Sequence, residues 1–423
     1  MSSKKAYRKS IQKKLARETF WSALARGTTF ILFLLTNIYL ARKLGVESFG
    51  EWSFLFSILT IVITISYFGV NAASNVFVAR NSRTGKLKKI FRDSLLLRTK
   101  VSVIGAIVFL GISAYLAKFL GRPNFLILFY VATPFILFKT FVEFYNEIFQ
   151  GLHRLKYQFF LNLSEFGLNL IFAVILLNMV LSIESIIFAY TISALITVIL
   201  GSFFFNSFYK TFKKRRKKEF FQRKIFRYSL PLVIISMGSL LMTEIDIIMI
   251  GLFSGHAEVG IYSAAKEIVN RLPQIAYALA LGTMQVFARL SEKNKRRMRT
   301  RFERLIKINS MIYLPITLIL IFGGPILIKV FYGPEFSKSA LPLMVLAPWV
   351  FMASQNVFQN YFINYQQKAW TRAMNYSFAI ILNIILNATL IPRYGALGAA
   401  IGTTISYTPY FLANRIEVKK ALR

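Results

Sequence analysis

The chain has 423 residues, of which 56% are hydrophobic and 17% charged, and its formal net charge is +36. Several apolar runs reach about 20 residues, the length that crosses a bilayer core, so an all-α polytopic membrane protein is predicted. The basic residues lie between these runs rather than on one polar surface, which excludes nucleic acid as a partner. With no cysteine in the chain, disulfides and thiolate metal sites are excluded as well.

The apolar runs predict about twelve transmembrane helices. The basic N-terminus leads into a run too long for a signal-peptide core, with no small-residue cleavage site, so the first helix is predicted to be retained. In chain order the predicted spans are about Phe20 to Ala41, Phe49 to Asn71, Leu95 to Lys118, Asn124 to Tyr145, Phe159 to Asn178, Ile183 to Asn206, Tyr228 to Phe253, Val259 to Phe287, Ile308 to Val330, Ala340 to Tyr361, Trp370 to Ile391 and Gly395 to Asn414.

The distribution of Lys and Arg predicts the orientation. Most of the 53 basic residues lie in both tails and in one alternate set of loops: Arg80 to Lys100, Arg154 to Lys156, Lys210 to Arg227, Arg289 to Lys307 and Lys368 to Arg372. Basic loops stay in the cytoplasm, so we expect a multi-pass protein of the cell membrane with both termini inside. The runs Lys213 to Lys218 and Arg296 to Arg301 are expected to attract anionic lipid head groups.

Two stretches half a chain apart indicate an internal repeat. Gly50 lies in a short acidic turn after the first predicted span, and Gly260 lies in a similar turn after the seventh. Ser182 to Ser193 aligns with Gly395 to Ser406 at nearly the same offset. Six spans in each half predict parallel repeats related by an axis along the membrane normal, with a cavity between the lobes. The predicted domains are an N-terminal lobe 1–208, a basic cytoplasmic linker 209–227 and a C-terminal lobe 228–423.

Several motifs in order along the chain carry a resemblance to a known family. They are Gly45 to Trp52, Ser229 to Pro231, Asp246, Glu258 to Ala265, Phe331 to Phe336 and Ile391 to Ala400. Together they resemble the polysaccharide-biosynthesis branch of the multidrug/oligosaccharidyl-lipid/polysaccharide exporter superfamily. The resemblance covers nearly the whole chain. It implies a V-shaped transporter that moves polyprenyl-linked oligosaccharides outward by alternating access.

Four basic residues fall within the predicted spans, where an ionisable side chain usually faces a cavity or a partner. Arg26 lies near the cytoplasmic end of the first span, so it either snorkels to the interface or binds an anion. Arg271 follows Glu267 at i+4, the favourable order for an ion pair. Lys266 has no acid at i±4 and is the stronger candidate for binding an anionic substrate. Lys139 is a fourth candidate and lies on one stripe with Glu143 and Glu147 near the cytoplasmic end of its span, where a polar lobe wall at the cavity mouth is the alternative to substrate contact.

Three acids are candidates for coupling transport to an ion gradient. Glu244 and Asp246 are about 200° apart around a helix, so at most one of them lines a central cavity. Asp246 is favoured because it matches the family position, and Glu244 is expected to pair within its own lobe. Glu165 in the fifth span is the third candidate, with a structural hydrogen bond as its alternative role.

The sequence favours transport over covalent chemistry. It contains no Gly-rich phosphate loop and no nucleophile and base at motif spacing, so no enzyme activity and no cofactor are expected. A lipid-linked oligosaccharide carries an anionic (pyro)phosphate, for which buried cations would be suitable ligands. We therefore predict a monomeric flippase for a polyprenyl-(pyro)phosphate-linked oligosaccharide, with Na⁺ or H⁺ as the candidate coupling ion. The alternative is an ion-coupled multidrug/cation antiporter of the same superfamily.

Overall fold

The computed structural model describes residues 2–82, 86–209, 221–283, 295–366 and 368–422. Most of the predicted linker, residues 210–220, lies outside the described residues, as does the run Lys213 to Lys218. The predicted end of the eighth span, residues 284–287, also lies outside them.

The described residues form twelve α-helices and no β-strand, which confirms the all-α prediction. In chain order these are α1 Ser2–Tyr67, α2 Val70–Asn81, α3 Leu87–Phe119, α4 Phe125–Gly151, α5 Leu155–Met179, α6 Ile183–Tyr209, α7 Gln222–Phe253, α8 His256–Arg271, α9 Gln274–Thr283, α10 Lys295–Phe331, α11 Ala340–Tyr365 and α12 Ala369–Leu422. A short 3-10 helix, Pro334–Ser339, precedes α11.

Two of these helices each contain two predicted spans. In α1 the helical geometry is interrupted at Gly45, with φ 75° and ψ 175°. In α12 the interruption is at Gly395, with φ 52° and ψ −128°. Glycine tolerates positive φ because it has no Cβ, so each residue permits a sharp turn between two apolar runs.

The predicted eighth span, in contrast, is divided. It begins as α8 and continues as α9, with Leu272 and Pro273 between them. Proline lacks an amide hydrogen, so Pro273 cannot donate the hydrogen bond that would continue α8, which accounts for the break. The prediction of one continuous helix here was therefore wrong. The structure also adds the short helix α2 after Phe68 and Gly69, which both have positive φ.

Eight helical stretches among the described residues are long and apolar enough to cross a membrane. They include the double-length stretches Phe20–Tyr67 and Trp370–Leu422. Large apolar side chains such as Phe322 and Ile107 are exposed on these helices. Because hydrocarbon is the solvent that suits such surfaces, the predicted class of membrane protein is confirmed.

The chain divides into two compact units. Unit 1 comprises 1–36 and 55–240, and unit 2 comprises 37–54 and 241–423. The two units are defined by which residues pack together in this structure, whereas the predicted lobes were defined by the internal repeat in the sequence. The predicted boundaries at 208 and 228 stay a prediction.

The core of unit 1 is rich in aromatic side chains. Phe91 of α3 stacks on Phe205 of α6, with ring centroids 3.4 Å apart. Phe144 and Phe149 of α4 are fully buried in the same cluster. These contacts bring together α3, α4 and α6 and position the polar residues on their neighbouring faces.

Unit 2 contains a close crossing of backbones between the two copies of the repeated turn. A Cβ atom on Gly50 would lie 1.8 Å from the backbone oxygen of His256. A Cβ atom on Gly260 would lie 2.1 Å from the backbone oxygen of Val46. The two contacts are reciprocal, as a twofold relation between equivalent segments requires. Only glycine allows two helices to approach this closely.

Candidate functional site

The candidate site in unit 2 is centred on the buried carboxylate of Asp246 in α7. Its Oδ2 accepts hydrogen bonds from the Tyr262 hydroxyl at 2.6 Å and from Thr403 Oγ1 at 2.8 Å. Its Oδ1 accepts one from Asn387 Nδ2 at 2.7 Å. Asn387 in turn donates to Asn383 Oδ1 at 3.2 Å. The carboxylate therefore contacts three neutral donors within a shell of amides and hydroxyls.

Helical spacing explains how this shell forms. Asn383 and Asn387 are one turn apart on α12, so they lie on the same face. Thr403 lies beyond the Gly395 interruption, where the second half of α12 runs beside the first, and Asn383 donates to its hydroxyl at 3.4 Å. Near that turn, Glu258 accepts the backbone N–H of Ala396 at 2.7 Å.

Glu244 lies on a different face of α7 from Asp246, and it is close to a cation. The Nζ of Lys266 is 3.9 Å from Glu244 Oε2 and donates a hydrogen bond to the backbone oxygen of Thr243. Lys266 is only 4% exposed. The sequence analysis found no acid within one helical turn of Lys266, but Glu244 supplies one from the neighbouring helix. The charge of Lys266 is therefore largely compensated in this structure.

The remaining predicted cation of unit 2 is Arg271, at the end of α8. It interacts electrostatically with Glu267, the acid four residues before it. Arg271 is partly exposed, and so is Glu267.

In unit 1 a second polar cluster joins α4 and α5. Lys139 Nζ is 2.5 Å from Glu165 Oε1 and 2.8 Å from Glu143 Oε1. The Glu165 side chain is almost fully buried, whereas Glu143 is partly exposed. One turn further along α4, Glu147 accepts a hydrogen bond from Asn75 Nδ2 at 2.6 Å. Two carboxylates therefore share one ammonium, so Lys139 is compensated and the Glu165 charge is paired.

Two further arginines of unit 1 differ in their exposure. Arg26 lies on α1 with an exposed side chain. Arg98 of α3 is fully buried and donates to the backbone oxygen of Tyr67 at 3.2 Å, at the end of α1. Its Nε and Nη2 have no hydrogen-bond partner among the described residues. The sequence analysis counted Arg98 with the basic loop Arg80 to Lys100 and therefore missed a buried cation.

The neutral shell around Asp246 was also missed. Asn383 and Asn387 lie in a predicted span at one-turn spacing, a signal that polar residues at membrane depth share a face. Because the amides carry no charge, the prediction from ionisable groups did not include them. Tyr262 and Thr403 gave no comparable signal, because their proximity to Asp246 depends on how separate helices pack.

Comparison with known proteins agrees with the fold and with the motifs. A sequence model of the polysaccharide biosynthesis protein family matches residues 15–281. The chain belongs to this family. A second model, that of the MatE family, matches residues 231–389.

Two curated relatives of this polysaccharide biosynthesis protein are similar over nearly its whole length. The "Probable low-salt glycan biosynthesis flippase Agl15" of Haloferax volcanii is 22% identical over 390 residues, covering 90% of this chain and 80% of the relative. The "Putative O-antigen transporter" of Escherichia coli K12 is 24% identical over 397 residues, covering 92% of each.

The fold is shared with solved transporters. An inward-facing multidrug resistance MATE family transporter of the MOP superfamily superposes with a TM-score of 0.76 at 16% identity, covering 93% of this chain and 95% of that one. The family models and the relatives confirm the predicted resemblance, whereas the solved transporter, at 16% identity, shows the shared fold alone. The roles of its charged residues stay predictions.

Proposed function

We propose that this polysaccharide biosynthesis protein is a flippase that moves a polyprenyl-(pyro)phosphate-linked oligosaccharide from the cytoplasmic to the outer leaflet by alternating access. The observation that carries the proposal is the family match over residues 15–281. The names of the relatives, a probable glycan biosynthesis flippase and a putative O-antigen transporter, support the same substrate class. No covalent chemistry and no cofactor are part of the proposal.

We propose an order in which these cations would bind the phosphate. Lys139, Lys266 and Arg271 each lie near at least one carboxylate. A phosphate would have to compete with that carboxylate, so these residues would bind it only after their pairs had opened. The Arg26 side chain is exposed on α1, so a phosphate can reach it from the surface, and we propose it as the first candidate for this contact.

Asp246 is the proposed site for the coupling ion. Carboxylate, hydroxyl and amide oxygens are the ligands that hard cations prefer, and the shell around Asp246 supplies all three types. The neutral partners leave its negative charge available to an ion. Glu165, in contrast, pairs with Lys139 at 2.5 Å, and Glu244 lies 3.9 Å from Lys266. Asp246 is therefore preferred to Glu165 and Glu244, with Na⁺ fitting the oxygen shell.

The proposed setting is the cell membrane, with both termini and the linker 209–227 in the cytoplasm, following the distribution of Lys and Arg. Anionic lipids would contact the basic loops. One chain contains both six-helix repeats, so a monomer is the proposed working unit.

Deletion of the gene in its native host tests the substrate class. Mass spectrometry should then find lipid-linked glycans accumulating on the cytoplasmic side, and the intact gene should reverse this. An Arg26→Ala variant should restore transport less well than a matched Arg26→Lys variant, since lysine keeps the charge. If the deletion left the lipid-linked glycans unchanged, the flippase assignment would be wrong.

An Asp246→Asn variant tests the coupling site. The amide keeps the volume but removes the charge, so transport driven by an imposed Na⁺ gradient should fall while expression stays normal. A Glu165→Gln variant is the matched comparison in unit 1. Transport by Asp246→Asn at the wild-type rate under the same gradient would remove Asp246 from the mechanism.

The alternative function is an ion-coupled multidrug/cation antiporter, which the MatE match over residues 231–389 favours. Such a transporter would expel a cationic dye from cells in an ion-dependent manner. Ethidium efflux from cells expressing the wild type, compared with Asp246→Asn, distinguishes the two functions. Efflux together with unchanged lipid-linked glycans would favour the antiporter.

A further inference from the structure

Unit 2 contains a row of neutral polar side chains between the Asp246 site and the end of α11. Those on α11 are spaced four residues apart, and those on the second half of α12 are spaced three and four residues apart, so each set lies on one face of its helix. The members, named the amide–tyrosine stripe, are Asn356, Asn360 and Asn364 of α11 and Asn375, Tyr407, Tyr410 and Asn414 of α12.

Hydrogen bonds connect the members of this stripe across helices. Asn414 Nδ2 donates to Asn356 Oδ1 at 3.3 Å and to Asn360 Oδ1 at 3.1 Å. The Tyr410 hydroxyl donates to Asn360 Oδ1 at 2.8 Å. Asn375 Nδ2 donates to Asn414 Oδ1 at 3.2 Å. The polar groups are therefore contiguous through the middle of the stripe.

Exposure rises steadily along α11. Asn356 is fully buried, Asn360 is partly buried and Asn364 is exposed. At the exposed end, Arg372 donates to Asn364 Oδ1 at 3.2 Å. The stripe thus leads from the interior of unit 2 to its surface, on the side predicted to face the cytoplasm.

At its inner end the stripe approaches the Asp246 site. Thr403, which donates to Asp246, is one helical turn before Tyr407 on α12. Tyr407 forms a side-chain hydrogen bond with Asn356. Met242 and Ala379 belong to the same buried cluster as Tyr407. One turn of α12 therefore separates the two polar regions, and apolar side chains pack around that turn.

Several buried polar atoms beside this route have no hydrogen-bond partner among the described residues. They include Gln355 Oε1, Gln359 Oε1 and Asn387 Oδ1. Unpaired polar groups are unfavourable in the interior of a membrane protein, so an orphaned group there calls for an occupant. Amide oxygens can replace the hydration shell of a small cation, as backbone carbonyls do in selective channels.

We propose that the amide–tyrosine stripe is the route by which a monovalent cation of the sodium type passes between Asp246 and the predicted cytoplasmic surface. This inference rests on the proposed assignment of Asp246 as the coupling site. The stripe contains no carboxylate and no histidine, the groups that relay protons within membranes, so its chemistry suits Na⁺ rather than H⁺.

The test separates binding of Na⁺ from its passage. The protein is reconstituted in liposomes, and the exchange of radiolabelled Na⁺ is measured alongside the Na⁺-dependent rise in thermal stability, which reports affinity. The variant is Asn356→Leu combined with Asn414→Leu, because replacing both partners of a hydrogen bond by apolar groups can be nearly neutral for folding. Tyr407→Phe is a milder second variant. Asn169→Leu, a buried amide of α5 in unit 1, is the matched control.

The double variant should slow Na⁺ exchange by about tenfold or more while the Na⁺ dependence of stability stays within about twofold of wild type. Tyr407→Phe should slow exchange less, and Asn169→Leu should not slow it. If the double variant exchanged Na⁺ at the wild-type rate, the proposed route would be wrong and the assignment of Asp246 would stand. The route would also be wrong if the double variant lost Na⁺ affinity by the same factor as it lost exchange rate. No Na⁺ binding by the wild type would overturn the assignment of Asp246 and the route with it, whereas accumulation of lipid-linked glycans on deletion tests the flippase separately.

Discussion

The reciprocal crossing of Gly50 and Gly260 in unit 2 predicts a large effect from a single methyl group. In a Gly50→Ala variant the new Cβ would lie 1.8 Å from the backbone oxygen of His256. An ordinary contact needs roughly 3.5 Å, so the two backbones would have to separate by about 1.7 Å. The obstacle is a backbone atom and cannot rotate away. We expect Gly50→Ala to lower the free energy of unfolding by about 1–3 kcal/mol, the usual range for overpacking.

Gly260→Ala should behave in the same way, because its Cβ would lie 2.1 Å from the backbone oxygen of Val46. The double variant should be destabilised by less than the sum of the two, since one separation of the backbones makes room for both methyl groups. Gly111→Ala in α3 is the matched control. A Cβ there meets nothing within 4 Å, and alanine favours a helix by about 0.5–1 kcal/mol over glycine.

Thermal unfolding in detergent, followed by gel filtration of the heated samples, measures these differences. Gly50→Ala and Gly260→Ala should unfold several degrees below the wild type, and Gly111→Ala should not. If both crossing variants unfolded at the wild-type temperature, the close approach of these two turns would be refuted.

Three further predictions concern charge. Lys139→Met should destabilise the protein by about 3–5 kcal/mol because it leaves Glu165 buried without its cation, and adding Glu165→Gln should recover most of the loss in the same unfolding assay. Lys266→Ala should lower the free energy of unfolding by less than Lys139→Met does, because its partner Glu244 is partly exposed. If a Lys266→Met/Glu244→Gln double variant were no more stable than Lys266→Met, the pairing of Lys266 with Glu244 would be contradicted. A reporter that works only in the cytoplasm should be active when it is fused after Lys218, and a reporter that works only outside the cell should be inactive there. The opposite result would reverse the proposed orientation.

The sequence alone determined the class of protein and most of the helices. A span is recognised from a local property, the length of an apolar run relative to bilayer thickness, so no tertiary information is needed. For the same reason, the turn at Gly45 fell between predicted spans and the turn at Gly395 fell at the first residue of one. The prediction of the eighth span as one helix failed at Pro273, because counting apolar residues ignores this local signal for a break.

The tertiary structure alone decided which charges are compensated. The rule of i±4 spacing detected Lys139 with Glu143 but could not detect Glu165, which lies on another helix. The same limit made Lys266 look unpaired, although Glu244 approaches it from α7. Pairings across helices depend on the rotation and depth of each helix in the bundle. Packing sets these quantities, and no local pattern in the sequence encodes them.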